Sequence, residues 1–132
     1  MPRVALVVDD SMLIRHTVCR FLQERGYAAE GASNGAEALE IMKTMLPDVI
    51  ITDLNMPIMD GNEFIARLKA SSRTVRIPIV VLRGKGSKDA AEADPRVDAS
   101  VFKDVEIVAE LEKALAAVMA RPSESRATVR AS

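Results

Sequence analysis

Four side chains could carry out concerted chemistry: Asp9, Asp10, Asp53 and Lys103. Asp9 and Asp10 follow the apolar run Arg3 to Val8, Asp53 follows Asp48 to Thr52, and Lys103 follows Ala99 to Phe102. Each run is strand-like, so the charged groups fall at the ends of separate strands. Carboxylates crowded at neighbouring strand ends repel one another unless protons or a cation relieve them. A hard divalent ion with oxygen ligands fits best, and Mg2+ takes one or two carboxylates together with other oxygens and water. Such a metal and the lysine can neutralise phosphoryl oxygens while Asp53 attacks in line, which suits phosphoryl transfer to a carboxylate. A single aspartate at a strand end ordinarily caps a helix or sits in solvent, as Asp10-Ser11 could do here. Three at the ends of different strands ask for more.

The remaining reactive residues read blandly. His16 lies off the apolar stripe of its helix and Cys19 has no motif around it. Met56 and Met59 flank Pro57 and suit packing better than metal ligation. Gly84-Lys85-Gly86-Ser87 lacks the spacing of a nucleotide-binding loop, with Gly86 where a hydroxyl is needed. Arg83, Lys85, Lys88 and Lys103 could attract an anionic donor, or simply form a solvated basic loop.

The elements that must position this chemistry alternate between β-branched runs and segments of helical period. Arg3 to Val8 reads as a strand buried on both faces. From Ser11 a helical stripe of Ile14, Thr17, Val18, Phe21 and Leu22 runs to Gly26. Tyr27 to Ala32 is a weaker strand near a sheet edge. Ala38, Leu39, Met42, Met45 and Leu46 mark a second helix stopping before Pro47. Asp48 to Thr52 is the third strand, and Phe64, Ile65 and Leu68 face inward on a third helix. Ile79 to Leu82 and Ala99 to Phe102 are strands four and five. Gly84, Gly86 and Pro95 leave only Ser87 to Ala93 for a short fourth helix. Ile107, Val108, Leu111, Leu115 and Val118 line a closing helix. Right-handed crossovers then give a parallel sheet with helices on both faces.

The 132 residues suit one domain, expected over residues 1–120 with a disordered tail over 121–132. Net charge is −1, so non-specific nucleic-acid binding is not expected as the main function. One cysteine excludes an internal disulfide. No apolar run approaches the roughly 18 to 20 residues of a membrane span, and no signal-peptide profile opens the chain. A cytoplasmic protein is expected.

The segments Val7–Ser11 (VVDDS), Asp48–Gly61 (DVIITDLNMPIMDG) and Phe102-Lys103 resemble the receiver domains of two-component response regulators, over residues 3 to 119. The resemblance implies a flavodoxin-like doubly wound (βα)5 sandwich of strand order 2-1-3-4-5. It implies Asp53 as phosphoacceptor, with Mg2+ held by Asp9, Asp10, Asp53 and the main-chain carbonyl of Asn55, and Lys103 on the phosphoryl group. The implied donor is a histidine kinase or a histidine phosphotransfer protein. Output would then run through an unnamed protein partner, from a monomer or weak dimer.

Three positions depart from the family pattern. Arg83 stands where the family has Thr or Ser, five residues after Pro78; its guanidinium could bind phosphoryl oxygens, fold over the carboxylates, or point into solvent. Ser100 replaces the family's switch aromatic, three residues before Lys103. Asp104 replaces the proline after the lysine; a cis bond there would cost about 3 kcal/mol, so a trans bond is expected. Asp104 could also cap the last helix.

The leading expectation is a non-enzymatic phosphoacceptor, at most catalysing its own phosphorylation and dephosphorylation. The alternative is a degenerate receiver that docks partners independently of phosphorylation. A metal-dependent phosphatase ranks last, because no second acid stands as a leaving-group donor.

Overall fold

A computed structural model describes residues 3–84, 94–104 and 106–120. Five strands and four helices are assigned there, in the order β1 (Val4–Val8), α1 (Met12–Glu24), β2 (Ala28–Ala32), α2 (Gly35–Met42), β3 (Val49–Asp53), α3 (Gly61–Lys69), β4 (Ile79–Arg83), β5 (Ala99–Phe102) and α4 (Ile107–Met119). The strands form one parallel sheet in the order β2-β1-β3-β4-β5, the flavodoxin-like arrangement expected.

The continuous apolar runs explain which strands are central. Ala5, Val7, Ile51, Val80 and Leu82 pack toward Val18, Phe21, Leu22 and the α4 residues Leu111, Leu115 and Val118. The alternate residues Leu6, Val8, Ile50, Ile79 and Val81 pack toward Met42, Phe64, Ile65 and Leu68 of α2 and α3. Period-two alternation thus feeds two cores, and a strand at the centre needs apolar residues at every position. β2, with the sequence AAEGA, is largely exposed and takes the edge.

The helix boundaries follow local chemistry. Ser11 caps α1 by accepting from the Ile14 N–H, and the chain turns out through Gly26 at φ +88. Asn34 caps α2 by accepting from Glu37 N–H, and Asp60 caps α3 by accepting from Glu63 N–H. α2 stops at Met42, earlier than its apolar pattern suggests. The N–H groups of Lys43 and Thr44 bond three residues back, and Arg73 Nη2 donates to the Met42 carbonyl at 2.6 Å. These contacts satisfy the helix end and release the chain, leaving Leu46 44% exposed. Val108, expected inward on the closing helix, is 41% exposed because burial falls on Ile107, Leu111, Leu115 and Val118 instead.

The expected short helix over Ser87 to Ala93 and the tail over 121–132 lie outside the described residues. No helix among the described residues is long and apolar enough to cross a membrane.

Candidate functional site

Strand register brings the candidate residues to one edge. Val8 pairs with Thr52, so Asp9 and Asp53, one residue further on, emerge side by side from β1 and β3. Arg83 pairs with Phe102 at the ends of β4 and β5, and Lys103 follows. Ligand atoms of Asp9, Asp10 and Asp53 lie within 4.8 Å of one another. Asp9 is fully buried and Asp53 is 4% exposed, whereas Asp10 is open to solvent.

Each buried carboxylate is held the same way. Asp9 Oδ1 accepts from the Ser11 N–H at 2.9 Å, and Asp53 Oδ1 accepts from the N–H groups of Leu54 at 2.7 Å and Asn55 at 3.4 Å. The second oxygens both face Lys103, whose Nζ lies 3.1 Å from Asp9 Oδ2 and 3.0 Å from Asp53 Oδ2. The lysine is itself positioned by its backbone N–H donating to the Arg83 carbonyl at 2.8 Å.

The electrostatics remain unbalanced. Among the described residues, three carboxylates share this cluster, and the Lys103 ammonium pairs with two of them, Asp9 and Asp53. A like-charge pair at 4 Å costs about 4 kcal/mol at an effective dielectric of 20. Burial pushes the Asp9 carboxyl above its ordinary range; the Ser11 N–H opposes this, the Asp53 charge reinforces it, and Lys103 opposes it in turn. For Lys103, burial works against the charge, but the hydrogen bond to Asp53 and the charges of both carboxylates outweigh it and hold its pKa up. The donor set is all oxygen, partly buried and electron-rich, which fits a hard divalent cation.

Two further residues shape this edge without having stood out in the sequence as contacts. A Cβ on Gly61 would clash with the Asp53 carbonyl oxygen and meet the Leu54 Cα at 2.7 Å, and the Gly61 N–H donates to the Leu54 carbonyl. Only glycine lets the start of α3 press against the backbone of Asp53. Arg15 Nη1 donates to the Asp9 carbonyl at 2.8 Å, tying the β1–α1 turn to the first helix. The preceding Asp-Gly pair in the sequence hinted at the first contact; nothing near Arg15 announced the second. Met56 and Met59 pack into the core beside α2 and α3, as expected of packing residues. Ile58 between them has φ +69, a left-handed conformation that is strained for a β-branched side chain.

Arg83 does not point into solvent. It is 3% exposed, with its guanidinium carbon 5.5 Å from the centroid of the Phe102 ring. The apolar walls of β4 and the aromatic face draw the side chain in. Ser100 is exposed on β5. No cis peptide bond occurs among the described residues. Asp104 accepts from the Glu106 N–H at 2.9 Å just ahead of α4, whose N-cap Glu106 makes no side-chain cap. His16 is exposed and Cys19 half-buried, its thiol pKa raised by burial. Lys85 and Lys88 of the proposed basic loop lie outside the described residues.

The family model "Response regulator receiver domain" matches residues 5–116. The response regulator MprA of Mycobacterium sp. (strain KMS) is 34% identical over 98 residues, covering 74% of this chain and 43% of that protein. The chain thus spans less than half the length of this relative. A response regulator from Chloroflexus aurantiacus J-10-fl has a similar structure, with TM-score 0.83 and 29% identity, covering 92% of this chain and all of that one. The response regulator TrrA of Thermotoga maritima, solved in complex with Mg2+-BeF, matches with TM-score 0.69 and 28% identity over 86% of this chain and 99% of its own.

Proposed function

The chain belongs to the response regulator receiver domain family, and from that premise we propose that Asp53 accepts a phosphoryl group in a Mg2+-dependent phosphorelay. The observation that carries this reading is Lys103 Nζ held about equally near Asp9 and Asp53, with Asp10 completing a charged cluster that one lysine cannot balance. Asp9, Asp10 and Asp53, with the carbonyl of Asn55, are the residues to hold Mg2+. When bound, the ion supplies charge neutralisation at the phosphoryl oxygens.

The donor is a phosphohistidine of a histidine kinase or a histidine phosphotransfer protein. An Asp53 carboxylate oxygen forms the new P–O bond as the P–N bond to the histidine breaks, and the electron pair returns to the imidazole. Backbone N–H groups of Leu54 and Asn55 orient the attacking carboxylate. Lys103, released from its two-way ion pair, follows the charge onto the phosphoryl oxygens. Arg83 stands at the neighbouring strand end and could supply a bidentate contact to them after leaving the Phe102 ring. The chain is no enzyme toward external substrates, acts in the cytoplasm through a protein partner, and does not read nucleic acid itself.

Incubation with acetyl phosphate and Mg2+ tests this: intact mass should rise by one phosphate, and Asp53→Asn should remove the gain. One observation favours the second reading, a docking module insensitive to phosphorylation. Arg83 is buried against Phe102 at the position of the family's switch hydroxyl. Amide NMR with Mg2+ and beryllofluoride separates the two. Shifts reaching residues 94–104 indicate a relay, and shifts confined to the carboxylate cluster indicate a module without one.

A further inference from the structure

A cavity of about 410 Å³ opens at the amino edge of the sheet, the opposite end from Asp9 and Asp53. A five-residue strand at about 3.3 Å per residue separates the two edges by roughly 16 Å. The cavity is lined by Arg3 ahead of β1 and by Arg73 and Arg76 between α3 and β4, with Ile77, Pro78 and Met119 as apolar wall. One carboxylate is present, Asp48, and its Oδ2 already accepts from the Val4 N–H at 2.7 Å. Three guanidiniums against one carboxylate leave two positive charges in excess.

Two observations describe how these arginines are partnered. None of the three makes an ion pair among the described residues. Arg76 Nε is buried and has no hydrogen-bond partner there. Buried donors in folded proteins nearly always find an acceptor, and this one has none among the described residues. Arg73 is anchored through Nη2 to the Met42 carbonyl, which fixes its guanidinium at the wall while using one of its five donors. Arginine's planar fork matches phosphate oxygens bidentately. The volume falls within the roughly 300 to 1,000 Å³ of small-molecule pockets and exceeds what a single small ion needs.

We propose that this cavity binds a small organic phosphate. Its dianionic group sits on Arg3, Arg73 and Arg76, and its carbon framework lies against Ile77, Pro78 and Met119. The site is independent of the carboxylate cluster and of metal.

Amide NMR titration of the full chain with inorganic pyrophosphate and, separately, with ADP in Mg2+-free buffer tests it. Saturable shifts are expected at Arg3, Asp48, Arg76 and Ile77, with Asp9 and Lys103 unmoved. Arg76→Gln and Arg3→Gln should each weaken binding about tenfold. The Arg3 side chain is exposed, so its variant keeps the test open should Arg76→Gln disturb folding. Tighter binding of ADP than of pyrophosphate supports an organic ligand; equal affinity overturns the role given to the apolar wall. Absence of saturable shifts, shifts confined to the carboxylate cluster, or affinity unchanged in both variants overturns the site itself.

Discussion

The two edges of one sheet carry opposite electrostatic problems. At the carboxyl edge, Asp9, Asp10 and Asp53 cluster together, and Lys103 pairs with Asp9 and Asp53. At the amino edge, Arg3, Arg73 and Arg76 line one cavity together with Asp48. The same strands, β1, β3 and β4, run between both. A parallel sheet makes such segregation easy, since every strand ends on one side and every helix C-terminus returns to the other. Cations suit the returning side, where helix carbonyls are left over, as Arg73 shows at the end of α2. Acids at the other edge meet helix N-termini and free N–H groups, as the Ser11 N–H donating to Asp9 shows, but three of them crowded together still repel one another. An excess charge at one end asks for a cation and at the other for an anion.

The contrast can be broken at the carboxyl edge in graded ways. Gly61→Ala should have the largest effect, because the added methyl meets the Asp53 carbonyl oxygen and the Leu54 Cα. A loss of about 3 kcal/mol is expected by chemical denaturation, together with loss of any Mg2+ response. Lys103→Met removes a cation that pairs with both buried carboxylates. Phosphorylation from a small-molecule donor should slow about 100-fold, read from the rate of mass gain.

Asp9→Asn should act in the opposite sense on stability. Burial and the Asp53 charge raise the Asp9 pKa, so its ionised form opposes folding at neutral pH. Without Mg2+ the variant should be more stable by about 1 kcal/mol, the relieved repulsion being largely offset by the lost ion pair to Lys103. Mg2+ should then stabilise it far less than it stabilises the parent.

Glu37 sharpens the comparison with the smallest effect. It also sits beyond a strand end, but it has the Ser33 N–H and hydroxyl as partners in place of other acids, which lower its pKa. A depressed carboxylate pKa adds stability above the unfolded-state value near 4.3, and that stability is lost as pH falls through the lower folded value. Glu37→Gln should therefore be slightly less stable than the parent at neutral pH, and the difference should vanish in acid. Thermal unfolding across pH checks it.

Legibility in the sequence followed the length scale of the interaction. Apolar runs such as Leu6 to Val8 and Val49 to Ile51 are local patterns, and they placed the strands, their centrality and the edge position of β2. With the strand order that the family resemblance implied, the residues after the strand ends fall on one edge, so Asp9, Asp53 and Lys103 could be grouped. What escaped was set by partners distant in sequence. The end of α2 depends on Arg73, thirty-one residues from Met42. Val108 fits the helical stripe, yet the face that α4 presents to β5 lies slightly to one side of it. For Arg83, spacing identified the position, but its burial beside the Phe102 ring is a tertiary placement that spacing does not encode. Arg76 gave no signal in the sequence, because its significance lies in a missing acceptor.

The central claim is that the unbalanced carboxylates at the ends of β1 and β3 make Asp53 a phosphoacceptor. Intact-mass measurement after exposure to acetyl phosphate and Mg2+ addresses it most directly. The account predicts one added phosphate, dependent on Mg2+ and absent from Asp53→Asn; no addition, or the same addition in that variant, would contradict it.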